Sequence, residues 1–483
     1  MAKVLNPDIC VIGAGSGGLS VAAAAAMFGV PVVLIEKGRM GGDCLNYGCV
    51  PSKALIAAAK QAHMIRHAGK FGIGAVEPEI DFRKVNGHVH GVIEAIAPND
   101  SVGRFSALGV HVIQAEARFK DDRTVVAGDF EIRARRFVIA TGSSPLIPPI
   151  EGLDGVDYLT NESVFDLKRR PGHLIVIGGG PIGMELAQAH RRLGSRVTVL
   201  EAAKALGKDD PELAALVLRQ IRAEGVDIRE NAKVARVEKR GKTGIRVHIE
   251  TDGGRKTIDG THLLLAVGRA ANVAGLNLEK AGIEYLEKAG IEYDAKGLKV
   301  TERLRTTNRR VYAVGDVAGS LQFTHVANYH AGIVIRALLF RLPAREKLGA
   351  VPWATFTDPE LAHVGMTEAV AVKAMKKIRI LRWPYAENDR AQAERRTEGH
   401  IKVVADRRGR ILGATIVGAN AAEIINMWAL ALSKGLNLRD VAGYVAPYPT
   451  MSEIGKRAAI TYFAGVAGKP LVRRLVRFLR LFG

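Results

Sequence analysis

The chain has 483 residues, enough for about three domains, and 48% hydrophobic with 24% charged residues is the balance of a globular protein. That excludes disorder, collagen and coiled coil, and at this length no disulfide staple or structural metal is needed. Lys and Arg number 69 against 49 Asp and Glu, a net charge of +20, while three cysteines exclude a secreted disulfide framework. The charge reads as a solvated basic surface or as attraction to an acidic partner. No nucleic-acid motif accompanies it, so no nucleic-acid partner is expected.

Met1 to Cys10 lack the charged-then-apolar layout of a signal peptide, so a cytoplasmic protein is expected. The first predicted unit runs from the strand Ile9 to Ile12 through Gly13, Gly15 and Gly18 into an Ala-rich helix. Gly29 and Pro31 break that apolar stretch, which excludes a membrane span, and Val32 to Ile35 with Glu36 close the unit. Strand, glycine turn, helix, strand and acid form a dinucleotide fingerprint. The glycines let backbone approach a pyrophosphate at a helix N-terminus, and the acid accepts ribose hydroxyls. The pattern recurs 165 residues later, with Leu174 to Ile177, Gly178, Gly180, Gly183, Val197 to Leu200 and Glu201. Two dinucleotides are expected.

Between the units, Gly41 to Lys53 reads GGDCLNYGCVPSK and holds Cys44 and Cys49. A helix is expected near Pro51, placing Cys49 near its N-terminus, where the dipole lowers a thiol pKa. Lys53 adds positive charge one turn on. A metal site would want about four ligands, and no second cysteine pair lies nearby. Cys10, inside the first strand, reads as a buried apolar residue. Strands ending in glycine turns are expected at Phe137 to Gly142, Leu263 to Arg269 and Val311 to Asp316, as at a ligand crevice. Leu278 to Tyr285 is repeated letter for letter at Leu286 to Tyr293, and no function is assigned to it. After about Pro352 no further phosphate loop occurs, and a third, non-nucleotide domain is expected.

GGDCLNYGCVPSK closely resembles the redox motif of the class I pyridine nucleotide–disulfide oxidoreductases, the group of dihydrolipoamide dehydrogenase, glutathione reductase and mercuric reductase. So do GAGSGG at 13–18, ATGSSP at 140–145, GGGPIGME at 178–185, AVGR at 266–269, AVGDV at 313–317, QFTHVA at 322–327 and FTDPELAHVG at 356–365. The resemblance runs to about residue 465. It implies an α/β protein with two Rossmann-like domains, for FAD and NAD, and a C-terminal α+β domain that builds a homodimer. The implied boundaries are 1–150 and 271–350 for the FAD domain, 151–270 for the NAD(P) domain, 351–468 for dimerisation and 469–483 for a basic tail.

The same resemblance implies roles. Cys49 would face the flavin and Cys44 would exchange with an acceptor. Lys53 and Glu185 look like the ion pair beside the flavin, and Asp316 like the acid holding the ribityl chain. Further cofactor contacts are implied at Gly13, Gly15, Gly18, Glu36, Lys37, Gly42, Thr141, Gly142, Ser143 and Gln322, Phe323, Thr324 and His325. For the nicotinamide nucleotide they are implied at Gly178, Gly180, Gly183, Glu185, Glu201 and Gly268. NADH is expected over NADPH, because Glu201 would repel a 2′-phosphate; Lys204 is the one nearby cation. Electrons would pass from NAD(P)H through FAD and the Cys44/Cys49 disulfide to a disulfide or another small acceptor. Two alternatives are a mercuric-reductase-like metal-ion reductase and a membrane-peripheral electron-transfer flavoprotein.

Three departures stand out. Asp43 replaces the family's usual Thr and would raise the Cys44 pKa by like-charge repulsion unless it points to solvent. Tyr448 takes the place of the catalytic His in the disulfide-reducing members, with Glu453 keeping the acid position and free to hold the Tyr hydroxyl. His325 or water is the alternative base. Mercuric reductases share that Tyr but carry a C-terminal cysteine pair, and no cysteine follows Cys49 here. In the tail, Arg473, Arg477 and Arg480 share one helical face. That helix either packs with its arginines in water or makes a peripheral contact with the inner face of an anionic membrane.

Overall fold

The structure, a computed structural model, describes residues 2–242, 244–281, 290–465 and 469–482. Much of the Leu278 to Tyr293 tandem copy therefore lies outside the described residues. The chain divides into two compact units, one of Met1–Gly178, Ala189–Leu200 and Lys233–Glu346, the other of Gly179–Gln188, Glu201–Ala232 and Lys347–Gly483.

In the first unit the strands Val311–Ala313, Arg136–Ile139, Ile9–Ile12, Val32–Glu36 and His111–Gln114 form one parallel sheet in that order. Ile9–Ile12 is buried at every position. A parallel sheet is covered on both faces, which is why its strands read as unbroken Val/Ile runs. Helix Ser16–Met27 packs against helix Thr324–Phe340 through small residues. A Cβ on Gly17 would stand 3.4 Å from Ala327 Cβ on the second helix, so that crossing is close. His173–Ile177 pairs in parallel with both Arg196–Leu200 and His262–Leu265, repeating the layout at the second fingerprint. An antiparallel meander, Lys233–Arg240, Gly244–Thr251 and Gly254–Gly260, lies in sequence just before His262–Leu265.

The second unit is built on an antiparallel sheet, Pro352–Thr355, Glu360–Gly365, Ile411–Gly418, His400–Asp406 and Ile378–Pro384 in that order. Ile411–Gly418 is buried throughout, beneath helix Ala421–Lys434, whose Trp428 is fully enclosed. Lys402, 3% exposed, lies 2.9 Å from Asp210, 2.6 Å from Glu212 and 2.7 Å from Glu368. A buried ammonium is tolerated only with such partners. The cluster joins the sheet to the start of helix Pro211–Ala223, which Asp210 caps. The mixed α/β class agrees with expectation.

Candidate redox site

The two glycine loops are built alike down to single hydrogen bonds. Glu36 accepts from the Ala14 N–H at 2.6 Å and the Gly38 N–H at 2.7 Å. Glu201 accepts from Gly179 at 2.7 Å and Ala203 at 2.9 Å, both displaced by the same 165 residues. Gly13 has φ +103° and Gly178 +111°. A Cβ there would stand 2.4 Å from Ala140 O and 2.3 Å from Ala266 O, so neither position accepts a side chain. A Cβ on Gly15 would meet only Gly42 Cα, at 3.9 Å, and one on Gly180 nothing within 4 Å. That open side of each loop, next to a helix start, is where a pyrophosphate fits. Gly18 closes the loop against the Gly13 carbonyl, and Gly183 is buried inside helix Pro181–Arg192.

Cys44 lies in the short helix Gly42–Asn46, and Cys49 opens helix Cys49–Arg66, two residues before Pro51. Cys49 thus occupies the first helical position, where backbone N–H groups and dipole favour an anion. The sulfurs are near 3.1 Å apart, the spacing of a thiol hydrogen-bonded to a thiolate. That bond from Cys44 is the largest influence on Cys49, whose pKa falls to about 6; burial opposes it, and Thr324 and Lys53 add to it. The same shared proton raises the Cys44 thiol, reinforced by burial and by the negative charge on Cys49. One sulfur is therefore a stable thiolate and the other a reluctant proton donor. Thr324 Oγ1 lies 3.3 Å from Cys49 Sγ, so this residue serves the thiolate directly. Cys10 is fully buried, which raises its thiol and leaves it inert.

Asp43 corrects one expectation. It does not point freely into solvent. Arg269 holds it at 3.1 Å and Asn161 Nδ2 donates to it at 3.0 Å. Its charge acts on Cys49, where it is the last and upward influence. Arg269 Nε also donates to Ser143 Oγ at 2.7 Å, and Ser143 Oγ donates to Asp316 at 2.5 Å. The redox motif and the Asp316 carboxyl are thereby tied through one guanidinium. Burial raises the Asp316 pKa, while Ser143 and Arg269 lower it. Nothing in the AVGR motif at 266–269 by itself points to this role for Arg269.

Other predicted positions fall in several places. Thr141 Oγ1 donates to Asn272 O at 2.7 Å, so its hydroxyl holds a chain crossing. Gly42, Gly142 and Gly268 all have positive φ. Phe323 and His325 stack with centroids 5.2 Å apart, beside Gln322. Lys37 sits at the surface 3.8 Å from Glu116. Lys53 belongs to the first unit and Glu185 to the second. Glu185, 5% exposed, accepts from the Phe356 N–H at 2.9 Å.

Tyr448 supplies a second correction. Its hydroxyl donates to Asp389 Oδ2 at 2.7 Å, not to Glu453, which starts helix Glu453–Thr461. Tyr448 is 70% exposed, and the Asp389 hydrogen bond and charge raise its pKa. No sequence signal connects positions 59 residues apart, so Asp389 was missed. Among the described residues, no three His, Cys, Asp or Glu side chains gather as a metal site.

With this geometry in place, comparison with known proteins is specific. Residues 7–331 match the family described as pyridine nucleotide-disulphide oxidoreductase, and residues 351–459 match its dimerisation domain. The chain is 35% identical to a mercuric reductase of Bacillus cereus over 94% of its own length and 71% of that protein. It is 34% identical to a dihydrolipoyl dehydrogenase of Geobacillus stearothermophilus, covering 94% and 96%. The Cu(II) complex of the HOCl-induced flavoprotein disulfide reductase RclA from Escherichia coli superposes with a TM-score of 0.82, at 30% identity, covering 93% and 98%. LpdA from Mycobacterium tuberculosis superposes with a TM-score of 0.85, at 28% identity, covering 95% and 99%.

Proposed function

The chain belongs to the class I pyridine nucleotide–disulfide oxidoreductases, and from that premise we propose an NADH-oxidising flavoenzyme that passes two electrons through Cys44 and Cys49 to a disulfide. The observation that carries this reading is the pair of sulfurs near 3.1 Å with oppositely shifted pKa values. The family binds FAD and a pyridine nucleotide, and its dimerisation domain indicates a homodimer.

FAD would rest on the Gly13–Gly18 loop, with Asp316 accepting from the ribityl chain, and supplies two-electron storage between nucleotide and disulfide. The chain's own residues do the rest. Lys53 is proposed to carry positive charge at the flavin edge of the site, beside the Cys49 thiolate. Cys49 holds negative charge where helix N-terminus, Thr324 and Lys53 favour it. Cys44 gives up its proton and attacks one sulfur of the acceptor, whose S–S bond breaks, and the leaving sulfur takes a proton. Cys49 then attacks Cys44, closing the internal disulfide and releasing the second acceptor thiol. The second thiol takes its proton from solvent, so the sum is NADH, one proton and one disulfide giving NAD⁺ and two thiols.

The nucleotide we assign is NADH. Both Glu201 oxygens face loop N–H groups, keeping a carboxylate where a 2′-phosphate would lie, and Lys204 is exposed on the same loop. A second reading, reduction of a soft metal ion, is favoured by Tyr448, by relatives named mercuric reductase and by a neighbour solved as a Cu(II) complex. In it one NADH and one divalent cation give NAD⁺, a proton and the cation reduced by two electrons.

Cys44→Ser tests the proposal. We expect flavin reduction by NADH to persist, while NADH oxidation driven by a small disulfide falls at least about a hundredfold. Turnover near wild type with disulfides would contradict it. Turnover with a soft cation but no disulfide, in the wild type, would select the second reading.

A further inference from the structure

The last described helix, Pro470–Leu479, contains no buried residue. Pro470 stands at its first position, where the missing N–H costs nothing. At about 100° per residue, Leu471, Leu475, Phe478 and Leu479 fall in one arc, which Val472 and Val476 extend on one side. Arg473, Arg474, Arg477 and Arg480 fill the opposite arc. Leu471 is 77% exposed, Leu475 55%, Phe478 56% and Leu479 55%. Phe482 stacks edge-on against Phe478 with centroids 5.0 Å apart, extending the apolar face. From Lys469 to Phe482 there is no acidic residue.

We propose that this helix lies in the plane of an anionic lipid bilayer, apolar face inward and arginines at the headgroups. A ten-residue helix that buries none of its residues is marginal in water, so its exposed apolar face calls for a covering surface. The arginines border that face on both sides, where a bilayer interface supplies negative charge to both flanks at once. A nucleic acid would satisfy the arginines and leave the leucines and phenylalanines in water. At about 15 Å the helix is half the thickness of a hydrocarbon core, so it can rest on the membrane and not cross it. Among the described residues, no helix is long and apolar enough to cross. The net charge of +20 draws the whole protein toward the same surface.

The test is co-sedimentation of the full-length holoenzyme with phosphatidylcholine vesicles, with or without about 30 mol% phosphatidylglycerol, at about 50 mM and about 0.5 M salt. Binding to the anionic vesicles at low salt is expected, at least about tenfold weaker without the anionic lipid and lost at high salt. Each Arg→Gln change at Arg473, Arg474 or Arg477 should weaken it about fivefold. Leu475→Glu with Phe478→Glu should abolish it and leave NADH oxidation with a soluble disulfide unchanged. No binding at low salt overturns the proposal. Binding that survives Leu475→Glu/Phe478→Glu overturns it as well, since charge alone would then be acting. So does conversion of dimer to monomer by that variant in sedimentation velocity, which would place the helix against a second copy of the chain.

Discussion

At the scale of single residues, the site is governed by who shares a proton with whom. The Cys49 pKa is lowered to about 6, so the thiolate is present above that pH and is lost as pH falls through it. Asp43 and Arg269 sit 3.1 Å apart beside this pair. Asp43→Asn removes a negative charge and leaves the guanidinium unopposed, and both effects favour the thiolate. A pH titration of the thiolate absorbance should therefore show the Cys49 midpoint move down, by on the order of half a unit. An unmoved or raised midpoint would disprove the coupling. Tyr448 carries a prediction of its own. Imidazole titrates near 6.5 and phenol near 10, and Asp389 lifts the Tyr448 hydroxyl further, so it cannot take up a proton at neutral pH. With Cys44 raised and no base of suitable pKa in that position, oxidation of dihydrolipoamide should be slow. Tyr448→His, with Asp389 in reach to orient the ring, should speed it by about 10²–10⁴-fold with the thiolate absorbance unchanged. Fast wild-type turnover that the variant does not improve would refute this account.

At the scale of elements, the sequence disclosed most where one local pattern serves one local structure. The twin loops were visible because glycine spacing, flanking strands and terminal acid all lie within one strand–helix–strand unit, and matching hydrogen bonds from Glu36 and Glu201 follow. The helix expected near Pro51 starts at Cys49, since Pro tolerates several first-turn positions. What stayed hidden were partners far apart in the chain. Arg269 on Asp43, Asp389 on Tyr448 and the acids around Lys402 are set by tertiary packing, which leaves no spacing to read. The second loop carries its own prediction. Steady-state kcat/KM should favour NADH over NADPH by at least about tenfold, roughly 1.4 kcal/mol. Glu201→Gln, which removes the charge and keeps one acceptor oxygen, should narrow that ratio. A wild-type preference for NADPH would contradict the role given to Glu201.

At the scale of the whole molecule, the function we propose is an electron path through Cys44 and Cys49, and the net charge of +20 bears on where such a path would operate. The path stands or falls on whether Cys49 is the sulfur that meets the flavin. Anaerobic titration of the holoenzyme with NADH, recorded across the visible spectrum, measures this directly. At pH 7.5 or so, above the Cys49 pKa of about 6, two-electron reduction should give a long-wavelength thiolate-to-flavin band that fades at lower pH. Cys49→Ser should abolish the band, and Cys44→Ser should show it without any reductant. A band that persists in Cys49→Ser would contradict the assignment of the two sulfurs and the electron path built on it.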